Sequence, residues 1–282
     1  MTQDQQIGAV TEFYETHPIS EQQIIDKLQG DGVDLANVTE DTLQNYDQDH
    51  YGGVEANNAL AELASIDDGC HVLDMCCGLG GPSRYLAHKF GCRVTGIDLT
   101  ESRVEGAKKL TAMVGLDDHV TFQTANALDL PFADKTFDVV ISQEAFCHIP
   151  DKDQLVAQCA RVLKPGGRLA FTDVLATDGT TESDKERLQQ EMTFIELGSQ
   201  NTYRQQLERE GCVVVEAQDV SDEWRVILID RLAMYRNLKG QTVDRFGNAH
   251  FTKWDNAYSF FVGLYETGEL GGGRFLACRK GG

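Results

Sequence analysis

The chain has 282 residues, with 25 Lys plus Arg against 45 Asp plus Glu, a formal net charge of −20 with His neutral, and 41% hydrophobic residues. That composition argues against a disordered or low-complexity chain and allows one sizeable core with additions, or two small domains. No apolar run approaches the roughly 18–20 residues of a membrane span, and the charge repels phosphate backbones and anionic membranes.

Neither nucleic acid nor a membrane is therefore an expected partner. Residues 1–10 hold no basic stretch followed by an apolar one, so a secretory signal is not expected. The eight cysteines include the adjacent pair Cys76 and Cys77 but no Cys-x-x-Cys. This argues against a zinc site or a disulfide framework and for a reduced, cytoplasmic location. The acidity fits a salty habitat and plain surface variation equally well.

In chain order, residues 1–50 read as a polar, mostly helical preface. Ser20 is a candidate cap for a helix in which Ile24, Ile25 and Leu28 share a face. Residues 45–53, with Tyr46, His50, Tyr51 and two closing glycines, read as a loop or lid. Residues 55–66 read as a helix. From residue 70 the period changes. Strands are expected at 71–75, 93–98, 120–124, 137–142 and 168–173, separated by helices at 82–90, 101–114 and 152–162. Such alternation predicts a mostly parallel sheet with helices on both faces. Beyond it, helices are expected at 183–197, 203–210, 222–238 and 256–267, with strands at 212–217 and 273–279. The long helices 222–238 and 256–267 form an expected insertion before the last strand.

The sharpest motif is Val72-Leu73-Asp74-Met75-Cys76-Cys77-Gly78-Leu79-Gly80. Glycines at a strand-to-helix turn let backbone approach a ligand closely. Asp98 ends the next strand, where a carboxylate can accept both hydroxyl hydrogens of a ribose. The pair points to a nucleoside ligand at the strand ends. A dinucleotide fingerprint would want Gly at position 76, although Gly81 supplies its third glycine. A phosphate loop of the Gly-Lys-Ser/Thr kind is excluded.

Four segments in order resemble the class I S-adenosylmethionine-dependent methyltransferases. They are residues 73–80, Asp98, Asn126-Ala127-Leu128 with Leu130-Pro131-Phe132, and Leu163-Lys164-Pro165-Gly166-Gly167-Arg168. The resemblance implies a Rossmann-like, mostly parallel seven-stranded sheet with a helical insertion before the last strand. It implies S-adenosyl-L-methionine as cofactor and S-adenosyl-L-homocysteine as product. Asp74 would orient the turn and the methionine ammonium. Gly78 and Gly80 would make room for the cofactor, Asp98 would hold the ribose, and Leu99 would pack on the adenine. Asn126 with Ala127 would fix the adenine edge, and Gln143 would offer a backbone carbonyl to the methionine ammonium. Cys76 and Asn126 depart from the Gly and Asp that are usual in the family. Cys76 is expected to line the methionine end without reacting.

Residues 142–150, Ser142-Gln143-Glu144-Ala145-Phe146-Cys147-His148-Ile149-Pro150, resemble a segment facing the acceptor in sarcosine and dimethylglycine methyltransferases. A small glycine-derived amine is the acceptor this implies. Aromatic faces suit the quaternary cation formed from a tertiary amine, and Tyr14, Tyr46, Tyr51, Phe146, Phe194 and Trp224 are the candidates. Arg225 or Arg231 could hold an acid group. His148, next His50 and third His17 are the candidate general bases. No metal site is expected.

The organisation expected is a helical cap and lid at 1–66, a catalytic core at 67–221 and 269–282, and an insertion at 222–268 that contributes to the acceptor pocket. A homodimer is compatible with this sequence. The rival readings are an oxygen- or carbon-directed methyltransferase of small-molecule biosynthesis and a noncatalytic cofactor-binding module.

Overall fold

In the computed structural model, which describes residues 3–15, 17 and 19–281, each short apolar run becomes a strand beside its neighbour in the sheet. β1 (His71–Met75) pairs in parallel with β2 (Arg93–Asp98) on one side and β4 (Phe137–Gln143) on the other. β3 (Val120–Thr124) continues the sheet beyond β2, and β5 (Leu163–Ala176) lies in parallel beyond β4. β6 (Cys212–Asp219) and β7 (Leu270–Arg279) complete the seven-stranded order β3-β2-β1-β4-β5-β7-β6, with β7 antiparallel to both its neighbours. This is the Rossmann-like class I arrangement. The order reverses between β1 and β4, and such a reversal opens a crevice at the strands' carboxyl ends.

Helices α5 (Gly81–Phe90), α6 (Glu101–Met113) and α7 (Lys152–Val162) supply the parallel crossovers. One face of the sheet packs Val72, Val94, Val139 and Ile141 with Leu86 and Val104; the other packs Leu73, Val140, Leu169 and Phe171 with Leu155 and Tyr203. Strands buried on both faces need continuous apolar runs, which is why this part of the sequence was readable. Several boundaries move, those of β5 and α8 by five residues at one end. β5 begins at Leu163, with a register shift where the 164–167 turn was expected. The helix expected at 183–197 is α8 (Glu182–Met192), and it stops at Thr193, whose φ is 56°.

The N-terminal preface holds α1 (Gln3–Glu15), α2 (Glu21–Gly30), α3 (Glu40–Leu43) and α4 (Gly53–Leu63). Ser20 caps α2 through its side chain, as the sequence predicts. After α9 (Gln200–Arg209) and β6, the insertion holds α10 (Ser221–Asn237), α11 (Lys239–Phe246) and α12 (Asn248–Thr267). The sequence showed neither α11 nor the first two turns of α12. α11 has only two apolar side chains, Val243 and Phe246, in its 8 residues, and the first turns of α12 mix polar and aromatic residues. Among the described residues no helix is long and apolar enough to cross a membrane.

The loop from 44 to 52 crosses the strand ends and is tied down by a buried ion pair. Arg84 on α5 donates from Nη2 to Asp47 Oδ2 at 2.6 Å, and both side chains are inaccessible. Burial pushes the neighbouring Glu40 carboxyl, 3.6 Å from Arg84 Nε, up to about 8. Gly81 completes the fit, because a Cβ there would collide with the Asp47 carbonyl oxygen. Removing one partner of a buried pair leaves the other charge uncompensated. Asp47→Ala should therefore lower unfolding free energy by about 3–5 kcal/mol in urea titrations. An unchanged urea midpoint would refute this account of the loop.

Candidate active site

At the strand ends lies a cavity of about 280 Å³ whose wall includes the β1 turn, the end of β2, the start of α6 and the segment after β4. The β1 turn is built from backbone in the left-handed region. Cys76 has φ 60°, Gly78 53° and Gly80 77°. A Cβ built on Gly78 meets no atom within 4 Å, and Gly78 lines the cavity. Gly80 has a different task. It does not line the cavity, and a Cβ there would run into the Phe122 ring at 2.5 Å. The expectation that both glycines face the ligand is thus corrected for Gly80: its glycine serves helix–sheet packing.

Asp98 knits this turn to β2. Its Oδ2 accepts from the Gly78 N–H at 3.0 Å and its Oδ1 from the Thr100 N–H at 2.9 Å. Burial raises its pKa, and these two N–H groups and Arg103 oppose the rise. Each oxygen keeps a lone pair. Asp74 accepts from Ser83 Oγ at 2.5 Å, and burial pushes its pKa up to about 7. Leu99, Asn126, Ala127 and Gln143 also lie on the cavity wall. Asn126 Oδ1 already accepts from the Leu128 N–H at 2.9 Å, which fixes the side chain in a local turn. Cys76 lines the wall, and burial lifts its thiol well above its ordinary pKa.

The two candidate bases are both on the wall and both already engaged. His148 Nδ1 lies 3.0 Å from the Thr193 carbonyl, which can only accept, so Nδ1 carries the proton. Nε2 is left with its lone pair, and the Tyr14 hydroxyl donates to it at 2.9 Å. His50 Nδ1 accepts from Gln143 Nε2 at 3.1 Å, and its Nε2 donates to Gln48 Oε1 at 3.0 Å. Burial pushes both imidazoles down to about 4, and His17 likewise.

Tyr14, Tyr51 and Phe194 line the cavity, and four other expected acceptor residues do not. Phe146 is fully buried against Phe171, because the 3₁₀ turn Phe146–His148 directs it into the core. Trp224 is buried beneath Tyr51 and over Gly272. Tyr46 donates to Asp31 outside the cavity, and Arg225 pairs with Asp222 on the surface. Of the two arginines expected from the sequence it is Arg231 that reaches the wall, where it donates to the carbonyl oxygens of Asp49 and His50 and so clamps the loop.

Phe13, His17, Trp254 and Tyr258 complete the aromatic wall, and Asp49, Arg103 and Glu144 its charges. Sequence reasoning placed His17 third among the candidate bases and assigned none of the other six. Of those, only Glu144, four residues before His148 in the acceptor segment, carried a usable signal. Burial pushes Glu144 up to about 7, against hydrogen bonds from Thr172 Oγ1 and the Tyr51 N–H. Burial also acts to raise Asp49, but His17, Arg103 and Arg231 outweigh it and hold the pKa below its ordinary value.

The family profile described as a methyltransferase domain matches residues 73–171. The chain is similar to 27-O-demethylrifamycin SV methyltransferase of Amycolatopsis mediterranei, with 33% identity over 68% of this chain and 72% of that one. The chain belongs to the class I S-adenosylmethionine-dependent methyltransferases. It is also similar to the sarcosine/dimethylglycine N-methyltransferase of Halorhodospira halochloris, at 35% identity over 59% of each chain. The crystal structure of a candidate sarcosine dimethylglycine methyltransferase from Galdieria sulphuraria shares the fold. Its TM-score is 0.75 over 92% of this chain and 98% of that one, at 22% identity. Matches to several curated relatives, the Halorhodospira enzyme among them, span only 29% to 63% of their length.

The family's cofactor, S-adenosylmethionine, fits the residues present. Gly78 leaves an open cradle, Asp98 keeps acceptor capacity beside it, and Asp74 waits at the end of β1. Among the described residues no cluster of His, Cys, Asp and Glu could hold a metal ion.

Two outcomes are expected. Asp98→Ala should weaken S-adenosylhomocysteine binding by at least about 10-fold in calorimetric titration; parental affinity would contradict the ribose role. The folded state favours neutral His148. The stability it lends is therefore complete above its ordinary pKa of 6.5 and is lost as pH falls through about 4. In NMR titration its ring should pass its midpoint near 4; a midpoint near 6.5 would disprove the burial described.

Proposed function

We propose that this protein transfers a methyl group from S-adenosylmethionine to a small-molecule acceptor, a glycine-derived amine such as sarcosine or dimethylglycine. The observation that carries this reading is the acceptor end of the cavity. Aromatic rings from Phe13, Tyr14, Tyr51, Phe194, Trp254 and Tyr258 line the same cavity as the carboxylates of Asp49 and Glu144. Aromatic faces and carboxylates both favour a cationic nitrogen, by roughly 0.5–2 kcal/mol per ring when desolvated.

Bound S-adenosylmethionine supplies an electrophilic methyl on a sulfonium. The residues of the chain bind, orient and exclude water. Asp98 holds the ribose hydroxyls, Leu99, Asn126 and Ala127 take the adenine, and Asp74 with the Gln143 carbonyl takes the methionine ammonium. The 44–52 loop, clamped by Arg84 and Arg231, covers the strand ends and shields the site from water. Asp49 keeps its negative charge near the nitrogen as positive charge develops there. Glu144, with a pKa near 7, can receive a proton from a primary or secondary amine. Tyr14 and His148 shape the pocket and need take no proton from a tertiary amine.

The Tyr14–His148 hydrogen bond supports a second reading, oxygen-directed transfer with proton removal through that pair. The rifamycin-type relative points the same way, since its name places the methylated position on oxygen. Against it stands the low basicity of His148. An imidazole pushed down to about 4 is poorly matched to a hydroxyl proton.

A screen with labelled S-adenosylmethionine decides between them. The expected result is transfer to sarcosine and dimethylglycine. Turnover should rise with pH as the amine loses its proton, with no histidine step near 6.5. Transfer to phenols or alcohols and to no amine overturns the acceptor assignment. Cofactor binding without transfer to any acceptor overturns the enzymatic one.

A further inference from the structure

Two arginines lie on the cavity wall, and they differ in what they leave open. Arg231 is committed to the carbonyl oxygens of Asp49 and His50. Arg103, in the first turn of α6, is only 4% exposed. Its Nη1 is 3.8 Å from Asp49 Oδ2, too far for a hydrogen bond. Its guanidinium carbon lies 5.3 Å from the centre of the Tyr14 ring. Its Nη2 is buried and meets no hydrogen-bond partner among the described residues. A buried charged donor without an acceptor is costly, and a planar guanidinium is shaped for a carboxylate.

We propose that Arg103 binds a ligand carboxylate in the cavity. Asp49 stands beside it and is 41% accessible although it lies on the cavity wall, so the surface it shows is in part the cavity's own. An arginine and a carboxylate 3.8 Å apart complement the two charges of an amino-acid acceptor, while the methionine end of S-adenosylmethionine, whose ammonium falls to Asp74 and the Gln143 carbonyl, would bring only its carboxylate to Arg103. Two ligands thus carry a suitable carboxylate: the methionine end of S-adenosylmethionine, and an amino-acid acceptor. The second source rests on the proposed function; the first rests on family membership alone.

The test uses the full chain and the variants Arg103→Met and Arg103→Lys. The first arm titrates S-adenosylhomocysteine, which carries the carboxylate, and adenosine, which carries the ribose without it. The second arm compares KM for dimethylglycine with KM for its methyl ester. If the cofactor is the source, Arg103→Met weakens S-adenosylhomocysteine about 10- to 100-fold and leaves adenosine within about 3-fold. If the acceptor is the source, cofactor affinity holds while KM rises by that factor for dimethylglycine and not for the ester. Arg103→Lys keeps the charge and loses the fork, so it shows a smaller loss of the same pattern and is read alone if the Met variant does not fold. Equal weakening of S-adenosylhomocysteine and adenosine assigns Arg103 to the ribose and overturns the inference. Unchanged S-adenosylhomocysteine affinity without a carboxylate-dependent KM effect, including the case where no acceptor reacts, also overturns it. The first arm needs no turnover, so failure of the proposed function is seen separately, in the parent's lack of transfer to amines.

Discussion

The hydrogen bond from the Gly78 N–H to Asp98 Oδ2 joins the turn after β1 to the end of the neighbouring strand β2. It forms because the chain after Met75 stays in the left-handed region at Cys76, Gly78 and Gly80, which turns the Gly78 N–H toward the end of β2. Without that turn, α5 would not start at Gly81, and Arg84 would not reach Asp47. The cavity floor and the anchor of the loop above it thus depend on the same few φ angles. Cys76 is the costly member, since a side chain at φ 60° is strained by roughly 1 kcal/mol or more. The Cys77 N–H, bonded to the Ile97 carbonyl at 2.9 Å, helps hold the turn against that strain.

Above the floor, two arginines from opposite ends of the sequence hold one loop. Arg84, on the core's first crossover helix, grips the Asp47 side chain, and Arg231, on the insertion, grips the carbonyls at 49 and 50. Between them His50 bonds Gln143 at the end of β4, and Tyr51 donates its N–H to Glu144. The loop therefore touches the strand end that carries the acceptor segment. This cross-linking makes the N-terminal preface, the sheet and the insertion share a single cavity wall.

The sheet was legible because buried parallel strands must be apolar on both faces, and because turn glycines punctuate them. That Asp74, Gly78 and Asp98 gather on one cavity was legible for the same reason, since they sit where strands end. The acceptor side was not. Choosing between Arg225 and Arg231 required knowing which face of α10 looks inward, and six residues of helix turn one away from the other. Phe146 precedes His148 by two positions, and a single 3₁₀ turn sends one ring to the core and the other to the cavity. Trp254 fell in a stretch without helical period, so nothing in the sequence brought it beside His17 and Phe13. Gly80 shows the same limit inside a motif. A glycine at positive φ announces a turn without saying whether a ligand or a phenylalanine fills the space.

The electrostatics of the aromatic end of the cavity follow from burial. Three histidines are held neutral there, at about 4, and the two carboxylates divide: Asp49 stays ionised beside two arginines while Glu144 rises to about 7. Protonated histidines would add positive charge beside Arg103 and Arg231, and their burial prevents it. The fixed negative charge of Asp49 lies on the same cavity as the aromatic faces, so ring quadrupoles and carboxylate favour the same sign of ligand charge. A neutral hydroxyl acceptor gains little from such a wall, whereas a nitrogen that becomes quaternary gains most at the moment the methyl arrives. Differential stabilisation of that kind accelerates a reaction without any proton transfer.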